Sequence, residues 1–247
     1  MGSLEVALVT GGTAGIGAAT VKALAAKGYS VAFSSSRTAA EGEELQRLLG
    51  DSIAYYKQAD VADPQASEEL VTSVVERFGR LDLLVNNAAT TKVIAHDDLD
   101  GATDEVWRLL FEVNVLGTFR MIRFCAPHLK RSDEGCIVNV ASLAGTRPQG
   151  SSIPYATTKA AVVHITKLLA KALAPEVRVN AVAPGLVETR WTESWVQAKE
   201  AWQKRAPLGP SEGLVQPEDV ADAVCWLAQA RQVTGEIVHV DGGMALQ

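Results

Sequence analysis

Cysteine is scarce in this 247-residue sequence, and the three that occur, Cys125, Cys136 and Cys225, lack the spacing of metal ligands. They lie in apolar segments, where free buried thiols are expected and a disulfide framework is not. This use of cysteine is typical of a reducing compartment. We therefore expect a cytoplasmic protein without a metal site.

An excess of basic residues is also missing. Lysine and arginine total 23 against 29 acidic residues, which gives a net charge of −6. A nucleic acid or an anionic membrane would require a basic surface, so we expect neither as a partner. The chain shows no signal sequence, long apolar run or myristoylation pattern. We expect a soluble protein that acts on small molecules.

The chain does contain a regular alternation of strand-like and helix-like segments. Short apolar runs near 4–10, 31–34, 53–58, 81–85, 136–140, 177–181 and 237–240 are typical of strands. Alternation with helices predicts right-handed crossovers between parallel strands that are buried on both faces. We predict an α/β fold of the Rossmann type, in one domain over 1–247: a doubly wound, mostly parallel sheet with helices on both faces. Ligands of such sheets bind beyond the carboxyl ends of the strands.

A glycine-rich turn, GGTAGIG at 11–17, follows the first strand and leads into a helix-like segment at 16–27. Such a turn lets backbone N–H groups approach a pyrophosphate, whose charge the helix dipole attracts. Glycines spaced G-x-x-x-G-x-G are weak evidence alone, because an ordinary tight turn would also explain them. Their place in the first strand–helix unit favours the phosphate site.

Tyr155 and Lys159 are one helical turn apart, and Pro154 marks the start of their helix, with Ser151 and Ser152 as candidate caps. The lysine cation and the positive end of the helix dipole would both lower the pKa of the phenol toward the working range. The spacing is also common in ordinary amphipathic helices. Other motifs must therefore decide between the two interpretations.

Those motifs are T-G-x-x-x-G-I-G at 10–17, N-N-A at 86–88, Asn114, Ser142, Y-x-x-x-K at 155–159 and P-G at 184–185. Together they resemble the short-chain dehydrogenase/reductase family over nearly the whole chain. The general likeness is to its single-domain branch of 3-oxoacyl-carrier-protein reductases and ketone reductases. The resemblance implies interconversion of a ketone and a secondary alcohol by hydride transfer with a nicotinamide cofactor.

The resemblance implies four catalytic residues. Tyr155 would donate the proton in reduction, and Ser142 would hold the substrate oxygen beside it. Lys159 would bond the nicotinamide ribose and lower the pKa of Tyr155, while Asn114 would hold a helix kink and a water that relays protons. A protein of another class, a sensor or scaffold that binds NADP(H) without turnover, remains the alternative.

The resemblance also implies a cofactor-binding set from the glycine turn, the strand ends and the segment after the sixth strand. Its members are Gly11, Thr13, Ala14, Gly15, Ile16, Gly17, Ser35, Ser36, Arg37, Asp60, Val61, Asn87, Ala88, Ala89, Tyr155, Lys159, Pro184, Gly185, Val187 and Thr189. Ala89 replaces the glycine that is usual in the family. Asp60, expected beside the adenine, could instead cap the helix that begins near Pro64.

The end of the second strand bears on the choice of cofactor. Ser35 stands where NAD-preferring relatives usually carry Asp, whose carboxylate would repel a 2′-phosphate. Hydroxyls and the Arg37 guanidinium could hold that phosphate, so NADP(H) is favoured. Ala14 lacks the basic residue that many NADP-preferring relatives place in the glycine turn, which leaves NAD(H), and an NAD-dependent alcohol dehydrogenase, as the alternative.

The segment at about 187–213 corresponds to the substrate lid of the family. Its Trp191, Trp195 and Trp202 recur at near-helical spacing. They could line a pocket for bulky or aromatic carbonyl compounds, or only bury area against the body of the protein. Family habit further implies a homotetramer that uses the helices around 104–130 and 154–174. We do not expect docking to an acyl carrier protein, because the acidic chain offers little electrostatic steering.

Overall fold

The computed structural model describes residues 4–193, 195 and 214–246. Within these residues the strands form one sheet in the order β3-β2-β1-β4-β5-β6-β7, and every neighbouring pair is parallel. The strands are β1 (Val6–Thr10), β2 (Ser30–Ser35), β3 (Ala54–Gln58), β4 (Leu83–Asn86), β5 (Cys136–Val140), β6 (Arg178–Pro184) and β7 (Ile237–Val240). The strand order places a topological switch point between β1 and β4, where Rossmann-type sheets bind ligands.

Helices connect the strands across both faces of the sheet. They are α1 (Gly15–Ala26), α2 (Ala39–Leu49), α3 (Pro64–Phe78), α4 (Asp104–Phe111), α5 (Thr118–Leu129), α6 (Ile153–Ala172) and α7 (Pro217–Gln229). A π-helical segment (Glu112–Gly117) joins α4 to α5, and short 3-10 turns span Leu143–Gly145, Arg190–Thr192 and Met244–Leu246. The predicted α/β Rossmann-type fold is confirmed.

Alternating side chains of the strands build a separate core on each face of the sheet. Val9 and Phe33 pack with α1 and α7 on one face. Leu8 and Ile137 pack with α3 and α5 on the other. Successive residues of a strand point to opposite faces, and both faces are buried, so the strands appear in the sequence as short continuous apolar runs.

Polar caps start the helices beside the cleft. Ser152 precedes α6, and its hydroxyl accepts a hydrogen bond from the backbone N–H of Tyr155 at 3.3 Å. Asp63 caps α3 by accepting from the N–H groups of Gln65 and Ala66. The alternative interpretation of Asp60 as this cap is therefore wrong, because its carboxylate accepts from the N–H of Ala62 instead.

Several other expectations can be compared with the described residues. All three cysteines are free and buried. None of the helices in 4–193 and 214–246 combines the length and apolar character that crossing a membrane requires. Within the same residues there is no cluster of metal-ligating side chains. Most of the predicted lid, including Trp202, lies outside the described residues.

Candidate active site

A cleft of about 1640 Å³ opens at the carboxyl ends of the central strands. All of the predicted site residues line it except Gly17 and Asn114. The convergence follows from the fold, because the carboxyl ends of parallel strands meet at one edge of the sheet. The glycine turn, the ends of β2 and β4, and the start of α6 thereby face one space.

Backbone shape explains the glycines of the turn. Gly15 has a φ of +50°, a region that side chains disfavour, and an added Cβ would lie 3.0 Å from Cγ2 of Thr189. At Gly17 an added Cβ would lie 2.0 Å from the carbonyl oxygen of Gly11. Gly17 therefore does not face the cleft but lets the chain close the turn and start α1.

The side chain of Asn87 fixes this turn to the end of β4. Its Nδ2 donates to the carbonyl oxygens of Thr10 and Gly11, at 3.1 Å and 2.9 Å. The hydroxyl of Thr10 accepts from the backbone N–H groups of Asn87 and Ala88, each at 3.1 Å. The backbone at 86–88 and the glycine turn are thus locked together, which leaves Ala88 and Ala89 along the cleft wall.

Tyr155 and Lys159 lie in the first two turns of α6, beside the end of β5. The ammonium of Lys159 is 5.9 Å from the ring centroid of Tyr155 and donates to the carbonyl oxygen of Val140 at 2.8 Å. The residue is only 4% exposed, and no second hydrogen-bond acceptor for its ammonium occurs among the described residues. An ammonium has three donors, so this buried cation is suited to binding a further acceptor in the cleft.

Burial dominates the acidity of both groups. It raises the pKa of Tyr155 to about 12, against the opposing hydrogen bond of the Ser142 hydroxyl. Burial likewise lowers the pKa of Lys159 to about 8. The expected lowering of this pKa by the lysine and the helix start is not seen, because desolvation of the phenolate raises the pKa instead.

Ser142 follows β5 and caps the 3-10 turn at Leu143–Gly145, where its hydroxyl accepts from the backbone N–H of Ala144 at 3.2 Å. The residues that follow this turn, Thr146 and Arg147, are held by contacts with β7 and with the C-terminal segment. The hydroxyl of Thr146 and Nε2 of His239 are 2.9 Å apart, and the Arg147 guanidinium donates to the carbonyl of Ala245. Ser142 therefore belongs to a loop with fixed ends.

Asn114 lies in the π-helical segment and is 1% exposed. Its Oδ1 accepts from the N–H of Thr90 at 2.8 Å. Its Nδ2 donates to the carbonyl of Thr90 and to the hydroxyl of Thr158, both at 3.0 Å. The side chain thus ties the cleft wall after β4 to the helix that carries Tyr155 and Lys159. Helix kinks commonly occur at π-helical segments, so this position suits the expected kink, and both the kink and the water relay stay predictions.

Hydroxyl groups surround the end of β2. Ser35 Oγ lies 2.9 Å from the hydroxyl oxygen of Tyr56, and Thr13 Oγ1 lies 2.6 Å from Thr38 Oγ1. The Gln58 side-chain amide donates to the carbonyl of Ser36 at 2.8 Å. Arg37 is exposed and forms no ion pair within the described residues. Asp60 and Val61 border the same end of the cleft.

The opposite end of the cleft is bounded by aromatic and apolar side chains. The ring of Trp191 meets that of Tyr155 edge to face, with centroids 6.4 Å apart, and is 42% exposed. Trp195 also lines the cleft. Two segments, 89–93 and 148–152, form the rim at this end and are joined by Thr91 Oγ1 and Ser151 Oγ, which are 2.6 Å apart.

Sequence reasoning missed several cleft residues, namely Thr38, His96, Leu109 and Val113. His96 Nε2 lies 3.1 Å from the carbonyl oxygen of Gly150 and so closes the rim beside Ser151. Such contacts join segments that are far apart in the chain. They leave no local pattern by which a sequence could reveal them.

Comparison with known proteins identifies the family. A family model described as enoyl-(acyl carrier protein) reductase matches residues 11–245. A short-chain type dehydrogenase/reductase from Mycobacterium ulcerans has a similar structure, with a TM-score of 0.89 and 30% identity over 98% of this chain and 90% of that one. This chain is a short-chain dehydrogenase/reductase.

Relatives of this short-chain dehydrogenase/reductase include reductases of ketoacyl groups by name. The chain is 46% identical over 244 residues to granaticin polyketide synthase ketoacyl reductase 2 of Streptomyces violaceoruber, covering 98% of this chain and 96% of that protein. A 3-ketoacyl-(acyl-carrier-protein) reductase from Brucella melitensis, solved with NADH, has a TM-score of 0.89 and 32% identity over 98% of both chains. The short-chain dehydrogenase/reductase is thus an oxidoreductase similar to ketoacyl reductases, of a family that binds nicotinamide cofactors.

Proposed function

We propose that this protein is an NADP(H)-dependent oxidoreductase that interconverts a ketone and a secondary alcohol. Tyr155 donates the proton to oxygen in reduction and accepts it in oxidation. The observation that carries the proposal is the position of the half-buried Tyr155 and the buried Lys159 beside Ser142, in the cleft that also contains the glycine turn. Proton chemistry and a phosphate-binding backbone thereby share one space.

Two observations support the fit of a nicotinamide dinucleotide. The turn at 11–17 has no room for side chains at Gly15 and Gly17, as a backbone that approaches a diphosphate requires. The buried Lys159 ammonium has donors to spare for a ribose hydroxyl. We assign the diphosphate to the glycine turn, the adenine to Asp60 and Val61, and the carboxamide to the segment 184–189. The bound nicotinamide supplies or takes up the hydride.

The residues of the chain handle the oxygen and its proton. Ser142 donates a hydrogen bond to the substrate oxygen and keeps it beside the Tyr155 hydroxyl. With a pKa near 12, Tyr155 is protonated at neutral pH and ready to donate in reduction. Lys159, with a pKa near 8, is mostly charged at pH 7 and stabilises the phenolate left after transfer. Asn114 holds α6 in register with the cleft wall.

The walls of the cleft favour bulky or aromatic carbonyl compounds. Trp191 and Tyr155 meet edge to face, and Leu143, Val93 and Leu186 also line the cleft. Such surfaces bind flat, apolar groups. The name of the Streptomyces relative, a ketoacyl reductase of a polyketide synthase, supports a large ketone as substrate.

The end of β2 supports NADP(H) over NAD(H). Ser35 places a neutral hydroxyl where a carboxylate would repel a 2′-phosphate, and the exposed Arg37 offers a positive charge close by. One observation favours the alternative, an NAD-dependent alcohol dehydrogenase, because the Brucella melitensis structure was solved with NADH.

Turnover with NADPH and NADH against a panel of ketones, diketones and oxoacyl thioesters tests the proposal. We expect NADPH to give the higher kcat/KM, with bulky aromatic ketones among the best substrates. A higher kcat/KM with NADH would overturn the cofactor assignment. Cofactor binding without turnover across the whole panel would favour the sensor.

We also propose that residues 1–247 act as one domain and assemble as a homotetramer, with 187–213 as substrate lid. Exposed apolar side chains on α4, the π-helical segment and α5, namely Leu109, Leu116 and Phe119, support a helix-mediated interface, as does Leu168 on α6. Light scattering of the purified protein tests the assembly, and a monomeric mass would contradict it.

A further inference from the structure

A pair of hydroxyl groups spans β2 and β3 at the edge of the cleft. Ser35 ends β2 and lines the cleft, whereas Tyr56 lies on β3 behind it. The two strands pair in parallel with Phe33 beside Tyr56, so Ser35, two residues further along, points to the same face of the sheet. Ser35 Oγ and the hydroxyl oxygen of Tyr56 are 2.9 Å apart.

The Tyr56 side chain is held in place on several sides. Its ring packs against Phe33, with centroids 5.5 Å apart. Its backbone N–H donates to the side-chain carbonyl of Gln46 on α2 at 2.6 Å. At Gly42, also on α2, an added Cβ would lie 2.3 Å from the ring. The missing side chain at Gly42 lets α2 press directly on Tyr56, so the hydroxyl has a defined position.

The number of protons decides what this pair can do. Each hydroxyl has one donor and accepts through its lone pairs. If Tyr56 donates to Ser35, the Ser35 proton is left for an acceptor in the cleft. An anion in the cleft favours the order in which Tyr56 donates to Ser35 and Ser35 donates to the anion, because each of these linked hydrogen bonds polarises the next. A neutral ribose hydroxyl is a weaker acceptor than an anion, so it stabilises this order of hydrogen bonds less.

The charges around the pair are compatible with an anion. Arg37 follows closely and is exposed without an ion pair among the described residues. Glu41, on the first turn of α2, lies 3.6 Å from the guanidinium of Arg190, which offsets its charge. Asp60 is exposed, and its carboxylate accepts from the backbone N–H of Ala62.

We propose that Tyr56 is a positioning residue that fixes Ser35 as a hydrogen-bond donor to the 2′-phosphate of NADP(H). Tyr56 does not line the cleft and acts through Ser35. It thereby contributes to the preference for the phosphorylated cofactor. This inference rests on the proposed use of NADP(H) and adds a residue that a motif at the end of β2 does not contain.

Binding of 2′,5′-ADP and 5′-AMP, measured by calorimetry on the intact protein, tests the inference. In Tyr56→Phe we expect the Kd of 2′,5′-ADP to rise about fivefold, the value of one ordinary hydrogen bond, with the Kd of 5′-AMP unchanged. Tyr55→Phe is the matched control. Tyr55 is the neighbouring residue on the other face of β3, where its ring packs against Phe78, and both Kd values should stay at the wild-type level.

A double-mutant cycle separates positioning from simple packing. Ser35→Ala should weaken 2′,5′-ADP binding, and the Ser35→Ala/Tyr56→Phe double variant should bind it no more weakly than Ser35→Ala alone. Kd values of both nucleotides that rise together, additive effects in the double variant, or no change in Tyr56→Phe would overturn the role of Tyr56. Wild-type protein that binds both nucleotides equally would instead overturn the proposed NADP(H) preference itself.

Discussion

Nδ2 of Asn114 donates a hydrogen bond to the hydroxyl of Thr158, 3.0 Å away, and so joins the π-helical segment to α6. Thr158 lies between the two residues assigned to proton chemistry, and its hydroxyl also donates to the backbone carbonyl of Tyr155 at 2.7 Å. One buried amide therefore hydrogen-bonds both the cleft wall at Thr90 and the helix α6 at Thr158.

Replacing the side-chain amide of Asn114 should lower both the free energy of unfolding and the catalytic activity. In Asn114→Leu, the N–H and carbonyl of Thr90 lose their partners. We expect the free energy of unfolding to fall by about 3 kcal/mol, the sum of the unsatisfied groups and the lost bonds. Urea denaturation measures it. A change below about 0.5 kcal/mol, typical of a neutral surface site, would contradict the structural role of Asn114.

Tyr155→Phe removes the proton donor and keeps the ring that packs against Trp191. We expect kcat for ketone reduction to fall by about 10²- to 10⁴-fold, the usual contribution of general acid catalysis. The Kd of NADPH, measured by fluorescence titration, should change less than about twofold. Retained turnover would rule out Tyr155 as the proton donor.

The buried ammonium of Lys159 should leave a signature in the pH dependence of stability. Its folded-state pKa is lowered to about 8, so above that pH the folded protein has lost a proton that the unfolded chain still holds. Unfolding then takes up a proton at this group, so the contribution of Lys159 to the free energy of unfolding rises with pH between about 8 and 10. Lys159→Met should lack this rise.

Denaturation curves of both proteins at pH 7, 8, 9 and 9.5 measure the effect. The buried tyrosines and cysteines, whose pKa values are raised, lower the stability of both proteins at alkaline pH, so the difference between the wild type and Lys159→Met at each pH isolates the lysine. Parallel pH profiles of the two proteins would show that Lys159 is not desolvated in the folded state.

Trp191 provides a test of the substrate wall. Trp191→Ala should raise KM for aromatic ketones about tenfold, and have less effect on small aliphatic ketones, because one face of the binding surface is lost. Trp226→Ala is a matched control, since Trp226 is a similarly exposed tryptophan on α7 that does not line the cleft. Equal effects of the two substitutions would argue against contact between Trp191 and substrate.

The fold was accessible from the sequence because burial on both faces turns each strand into a short apolar run. The predicted runs at 136–140 and 237–240 coincide with β5 and β7. Others differ at their ends: β6 extends to Pro184, three residues beyond the predicted 181. Motifs placed at strand ends could likewise be assigned to one cleft, since parallel topology brings those ends together.

Properties that depend on contacts between distant segments could not be predicted in this way. The pKa of Tyr155 depends on how deeply the phenol is buried, which the spacing to Lys159 does not reveal. The pairing of Ser35 with Tyr56 arises from strand register. Asp63, not Asp60, caps α3. Both aspartates precede the helix closely, and the sequence alone does not show which of them lies at the cap.

The contact between Gly15 and Thr189 has a consequence for how the protein matures. Thr189, which follows β6, lies against the turn that starts α1, so this contact joins residues that are far apart in the chain. Contacts of such long sequence separation form slowly, because loop closure must precede them. A refolding chain should therefore regain its helical circular dichroism before it regains cofactor affinity, and nucleotide binding reports the completion of folding.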